Sequence, residues 1–335
     1  MKVRNSLQRF TLLLALLLAV CLSFSAAAEE SEVSLADLNP EDVEEVTIEA
    51  PLISNPLPID FTGGFEPQES GFQGEEYYED PTIRVRITRK DVKNYIDDKK
   101  YNNKKWTAEA WIVDIEIGDA SQLRTAAAES FDKKTMMPAE AIADRVHAVV
   151  AFNADYYISR LEDGFHIRQG TFYRDKLKKR WDVLLIDEDG DFHPVHLPDR
   201  NTLSDTVDGK KVINAFCFGP ILVEDGELVV DQMKDFTFLK PDNYYSRLAI
   251  CQVGPLHYKV ILTTMEQSYA LGLRLKAFAQ LCKDEGAQIA YNLDGGYSTT
   301  LYFHGVRLNS QYKVNFRDIP DIFYFASAWN GGSAE

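Results

Sequence analysis

Apolar and polar positions alternate with a period of two over residues 82–88 (TIRVRIT) and 111–117 (WIVDIEI). That spacing lays one face of a β-strand on a core and leaves the other in water. Further along, the apolar runs become continuous and short, at 147–153 (HAVVAFN), 181–186 (WDVLLI), 247–253, 257–263, 287–293 (AQIAYNL), 298–304 (STTLYFH) and 321–326 (DIFYFA). Runs of this length between turn residues read as buried strands. Residues 212–223 (VINAFCFGPILV) read as two strands broken at Gly219-Pro220, and Asp187-Glu188-Asp189-Gly190 reads as a hairpin turn. Helical spacing is rare. It is found at 139–146, where Pro138 stands at a favourable helix start, and at Leu271, Leu275, Phe278 and Cys282, with Gly286 placed as a C-terminal cap. Many strands, few helices and no regular βα alternation predict an α+β fold: a single domain over residues 81–330, with a large mixed or antiparallel sheet core flanked by a few helices.

The stretch from Tyr291 to Thr300 (YNLDGGYSTT) interrupts this pattern. An Asp-Gly pair between two strands is the ordinary signature of a hairpin tip, because glycine accepts positive φ without steric cost. A turn does not require Asn292 before the pair or Ser298, Thr299 and Thr300 after it, however. Consecutive N–H groups at Gly295 and Gly296 can form an anion-binding nest, and a carboxylate at Asp294 beside such a nest is placed to act next to a phosphate.

The formal charge of −16 is unevenly distributed. Residues 29–80 hold 16 Asp or Glu and no Lys, Arg or His, together with five prolines, and read as an acidic, disordered linker. The remaining chain to residue 335 is nearly balanced. No basic stripe interleaved with aromatics is present, which argues against nucleic acid as a partner. Residues 1–28 read as a secretory signal: Lys2, Arg4 and Arg9 precede an apolar run from Phe10 to Leu22 and the small residues Ala26, Ala27 and Ala28. A retained anchor is the competing reading, but the run falls short of the ~20 residues a spanning helix needs. A secreted or cell-wall-associated protein with no membrane span after leader removal is therefore expected. Cys217, Cys251 and Cys282 are an odd set without close spacing, and Pro194 separates His193 from His196, so neither a disulfide framework nor a metal site is expected. No cofactor is expected either.

Several pieces together resemble the phosphodiester glycosidase family, in its exopolysaccharide-associated bacterial branch. They are Asn153-Ala154-Asp155-Tyr156-Tyr157, Gly219-Pro220-Ile221-Leu222-Val223 with Asp225-Gly226, Arg247-Leu248-Ala249-Ile250, the stretch from Asn292 to Thr300, and Arg317. Coverage runs from about Arg84 to Ala326. Two departures stand out. Tyr297 replaces the third glycine of the family motif, and Thr264-Met265-Glu266 stands where the family has Asp-Gly-Arg.

The resemblance implies hydrolysis of a sugar-1-phosphodiester, with sugar and a phosphomonoester as products. The partner would be a glycosyl-phosphate or a phosphate-containing cell-surface polysaccharide. On that reading Arg247 and Arg317 hold the phosphate by charge-assisted bonds, helped by the N–H groups of Gly295 and Gly296. Asp294 or Asp155 acts as nucleophile or base, with Glu266 a candidate to replace the missing acid. Asn153, Asn292, Ser298 and Thr299 contact substrate. The alternative is a binding protein for anionic wall or exopolysaccharide phosphodiesters that has lost the chemistry, which the missing Asp-Gly-Arg favours.

Overall fold

A computed structural model of the chain describes residues 77–329, except 102, 155–163, 178–180, 199–202, 230–235, 311 and 313–314. Every described residue lies within one compact unit, residues 49–335. The expected signal and most of the expected acidic linker fall outside the described residues, as does Asp155. The first strand takes Tyr77–Asp80, four residues assigned from the sequence to that linker. Asp80 accounts for the early start: its Oδ1 accepts from the Thr82 and Ile83 N–H groups and so closes a tight turn into the next strand.

The strands form three antiparallel sheets rather than one large sheet. The largest has eight: β1 (Tyr77–Asp80), β2 (Ile83–Asp91), β3 (Glu109–Ile117), β12 (Ile221–Glu224), β13 (Glu227–Leu228), β14 (Arg247–Gly254), β15 (His257–Thr263) and β16 (Ile289–Leu293), in the order β1-β2-β3-β15-β14-β16-β12-β13. A second contains β6 (Gly164–Arg168), β7 (Thr171–Lys176), β8 (Asp182–Asp187), β9 (Phe192–Val195), β10 (Thr206–Val207) and β11 (Lys210–Phe218). The third has β4 (Leu123–Ala127), β5 (Val150–Asn153), β17 (Leu301–Phe303), β18 (Val306–Arg307) and β19 (Asp321–Phe325).

The main core lies where the three sheets meet. The period-two pattern supplies it: Ile83, Val85 and Ile87 of β2, and Trp111, Val113, Ile115 and Ile117 of β3, point into it along with Leu248, Ile250, Tyr291 and Leu293. Each such fully buried side chain contributes about 1.5–3 kcal/mol relative to exposure. Phe323 of the third sheet stacks on Phe216 of the second at 4.0 Å, and Tyr258 of the first lies 5.6 Å from Phe325. Tyr291 adds polar ties, its hydroxyl accepting from the Phe218 N–H at 2.7 Å and donating to Asp182 O at 2.9 Å.

The two described α-helices cover outer faces. α1 (Ala139–Arg145) buries Ala139, Ile142 and Ala143 against the third sheet, and α2 (Leu275–Asp284) buries Leu275, Phe278, Ala279, Leu281 and Cys282 against the far face of the first. The second helix ends as its glycine requires. Gly286 has φ +89, and the Ala287 N–H reaches Cys282 O at 3.1 Å.

Two junctions matter for function. β11 and β12 are joined at Gly219-Pro220, a cis peptide, yet belong to different sheets. β16 and β17 flank the Asp294-Gly295-Gly296 stretch and likewise belong to different sheets. The Asp-Gly pair is therefore not a hairpin tip but the passage from one sheet to another.

Candidate active site

Residue 294 follows the last residue of β16, and the register of β14 with β16 (Leu248↔Leu293, Ala249↔Asn292) brings Arg247 alongside it. From the third sheet, Asn153 ends β5. The ends of three strands from two sheets thus converge on one loop, residues 294–300, whose centre is a 3-10 turn at Gly296–Ser298.

Buried amides hold this loop. Asn153, fully buried, donates from Nδ2 to Asp294 O at 2.7 Å and accepts at Oδ1 from the Thr300 N–H at 3.0 Å, closing the loop across its base. Asn309 does the same one step further, accepting from the Leu301 N–H at 2.7 Å and donating to Thr299 O at 2.8 Å. Inside the loop, Ser298 N–H bonds Gly295 O and Thr300 Oγ1 bonds Ser298 O. On the strand side, the Ser246 carbonyl accepts from the Gly296 N–H at 3.0 Å. That approach explains the glycine beside it, because a Cβ at Gly295 would lie 2.4 Å from Ser246 O. Gly272 meets the same segment from the other side, where a Cβ would lie 1.8 Å from Tyr245 O.

The catalytic candidates fall as follows. Asp294 is 6% exposed at the head of the loop. Arg317, half-buried, ties itself to the loop twice: its backbone N–H donates to Tyr297 O at 3.1 Å and a guanidinium N–H donates to Ser298 Oγ at 3.2 Å. Asn292 donates from its backbone to Pro220 O and from Nδ2 to Gly219 O, and so locks the β11–β12 junction beside the loop. Its Oδ1 and the Thr299 Oγ1 are buried without a hydrogen-bond partner. Buried oxygens in that state cost about 1–3 kcal/mol each, which sets them apart from the ordinary polar groups of a core. Tyr297, in place of the motif glycine, is 52% exposed on the loop.

Two expectations need correction. Arg247, expected to hold the phosphate by charge-assisted bonds, spends most of its donors on backbone carbonyls. Its Nε donates to Leu273 O, one Nη to Leu239 O, and the other to Lys240 O and Asn243 O, all at 3.0–3.1 Å, which leaves one of five N–H donors. Burial lowers its pKa to about 10, so it stays charged at neutral pH, solvated by carbonyls instead of water. The two-glycine nest is likewise incomplete, because the Gly296 N–H already donates to Ser246. Glu266 sits in an ion pair with Arg89 at 3.1 Å and accepts from Thr264 Oγ1 and the Ser310 N–H, next to the Asn309 clamp.

Asn309, Ser246 and Gly272 were not singled out from the sequence. Their partners are backbone groups, which carry no residue signature. Among the described residues no group of three or more His, Cys, Asp or Glu side chains is arranged to hold a metal ion, and no helix is long and apolar enough to cross a membrane.

A buried carboxylate, a guanidinium and a clamped polar loop thus share the junction of two sheets. The phosphodiester glycosidase family model matches residues 146–326, just over half of the chain, and includes Asn153, Arg247, the 294–300 loop and Arg317. The chain belongs to the phosphodiester glycosidase family. Its fold is similar to the catalytic domain of zebrafish N-acetylglucosamine-1-phosphodiester alpha-N-acetylglucosaminidase, auto-inhibited by its pro-peptide, at a TM-score of 0.58 and 16% identity over 75% of this chain and 86% of that one. A hypothetical protein from Synechocystis matches at a TM-score of 0.50 and 16% identity, over 72% of this chain and 62% of that one. Among curated protein sequences there is no significant match. Family membership supports a glycosidase-type hydrolysis of phosphodiesters, and the antiparallel, sheet-rich architecture agrees with the structural similarity.

Proposed function

We propose that the protein is an exported hydrolase that cleaves a sugar-1-phosphodiester in a cell-surface glycopolymer or glycoconjugate, releasing sugar and a phosphomonoester. The observation that carries the reading is the convergence of Asp294 and Arg317 on one loop clamped at its base by Asn153 and Asn309. A departing phosphomonoester is already a stable anion, so protonation of the leaving group matters little. Charge neutralisation and attack at the anomeric carbon matter most.

Arg317, beside Ser298, neutralises the phosphate. Asp294 is the nucleophile or the base that activates water. The unpartnered Asn292 Oδ1 and Thr299 Oγ1 accept hydrogen bonds from sugar hydroxyls, which relieves their burial cost.

Purified wild-type protein should release reducing sugar from a glycosyl-1-phosphodiester, and Asp294→Asn should abolish release while the melting temperature stays nearly unchanged. Unaltered release by the variant removes Asp294 from the chemistry. Thr264-Met265-Glu266, where the family has Asp-Gly-Arg, favours the binding-protein alternative, and saturable binding of the phosphodiester with no product from wild-type protein would establish it.

A further inference from the structure

An open cleft of about 370 Å³, lined in part by Tyr244, Tyr245 and Arg274, plays no part in the chemistry above. Its volume is within the roughly 300–1,000 Å³ typical of small-molecule sites. Three tyrosines are among the residues that line it. Tyr101 meets Tyr244 edge to face at 5.3 Å, the Arg274 guanidinium lies over the Tyr244 ring at 4.8 Å, and Tyr245 follows in the chain. Rings fixed in this way offer flat apolar faces with polar edges, the surface on which the C–H face of a pyranose stacks. Asp98 and Asp242 supply acceptors for the outward hydroxyls.

Charge narrows the ligand. Arg274 is the one cation among the lining residues, and it is already engaged, with Asp97 at 2.8 Å, with the lining Asp98 at 4.0 Å and with Asp242 O at 2.9 Å. Lys100 and Lys240 stand over the Tyr101 and Tyr245 rings at 5.1 and 6.0 Å but are not part of the lining. A second phosphate would face two carboxylates there, whereas a neutral sugar would not.

The cleft is joined to the active-site loop. Tyr245 precedes Ser246, whose carbonyl holds the Gly296 N–H, and Arg247 binds the carbonyls of Leu239, Lys240 and Asn243 in the segment that leads into the wall. We propose that this cleft is a subsite for a neutral pyranose unit of the substrate's glycan. The link to turnover rests on the glycosidase reading; sugar binding itself does not.

Calorimetric titration with phosphate-free probes tests this. The N-acetylglucosamine tetramer and the glucose tetramer serve as neutral probes, and the galacturonic acid tetramer as the anionic one. At least one neutral tetramer should bind saturably and more tightly than the anionic tetramer. Tyr245→Ala, and Asp242→Ala on an exposed side chain, should each raise its Kd at least tenfold, while Phe172→Ala on the second sheet leaves it unchanged. Absence of saturable neutral binding, tighter anionic binding, or an unchanged Kd in both cleft variants overturns the proposal. Sugar binding without hydrolysis of any phosphodiester would overturn the function above and leave the subsite standing, and hydrolysis without sugar binding would do the reverse.

Discussion

At the scale of single residues, the two arginines of the motif part company. Sequence pairs them as phosphate ligands, yet Arg247 is 4% exposed and surrounded by carbonyl oxygens, while Arg317 lies half-buried against the Ser298 hydroxyl. The difference was not legible beforehand, because the groups that capture Arg247 are backbone carbonyls brought to it by the tertiary fold. It has a measurable consequence. Arg247→Ala leaves the buried Leu273 carbonyl and the more exposed carbonyls of Leu239, Lys240 and Asn243 without their guanidinium donors and should cost roughly 3 kcal/mol of stability. Arg317→Ala should leave the melting temperature within a degree or two and lower kcat/KM by about 100-fold or more, the loss of a charge-assisted phosphate contact. Thermal melts and steady-state kinetics on the same two proteins decide it. Equal losses of stability in both would refute the division of labour.

At the scale of elements, strand and helix patterns were readable almost wherever periodicity was strong. β15 coincides with residues 257–263, β14 and β3 extend their expected spans by a residue or two, and Gly286 caps α2. What local pattern could not show is which sheet each strand joins. Asp-Gly chemistry is the same in a hairpin and in a passage between sheets, because partner choice is decided by distant residues. The passage needs its own fastening, and Asn153 and Asn309 provide it. Asn153 was legible through its motif, whereas Asn309 looked like any loop asparagine. Removing either amide strands two loop backbone groups, so Asn309→Ala should lose about 2–3 kcal/mol in denaturant unfolding and raise hydrogen exchange at Leu301, whose N–H it holds. A wild-type exchange rate at Leu301 in the variant would show that the clamp is incidental.

At the scale of the whole molecule, three sheets share one core, and acid should loosen the turns that frame it. Asp187, at the end of β8, is fully buried. Burial alone would raise its pKa, but bonds from His193, from the Asp191 and Asp189 N–H groups and from Lys210 outweigh that and hold it below the ordinary 3.8. A depressed carboxylate contributes stability above its unfolded pKa and loses it as pH falls through the folded value. Asp114, with burial outweighed by His257 and Lys259, has the same sign, and Asp182, raised by burial, the opposite one. The melting temperature should therefore drop as pH falls through and below about 4, and Asp187→Asn should lower it at neutral pH while flattening that acid limb. An unchanged acid limb in the variant would remove Asp187 from the transition.

The function proposed here has a carboxylate at a sheet-to-sheet passage direct attack at sugar carbon, not at phosphorus. Hydrolysis of a glycosyl-1-phosphodiester in water enriched in oxygen-18 tests it most directly, with both products weighed by mass spectrometry. The account predicts label at the anomeric hydroxyl of the sugar and none in the phosphomonoester. Label in the phosphate, or no products at all, would contradict it.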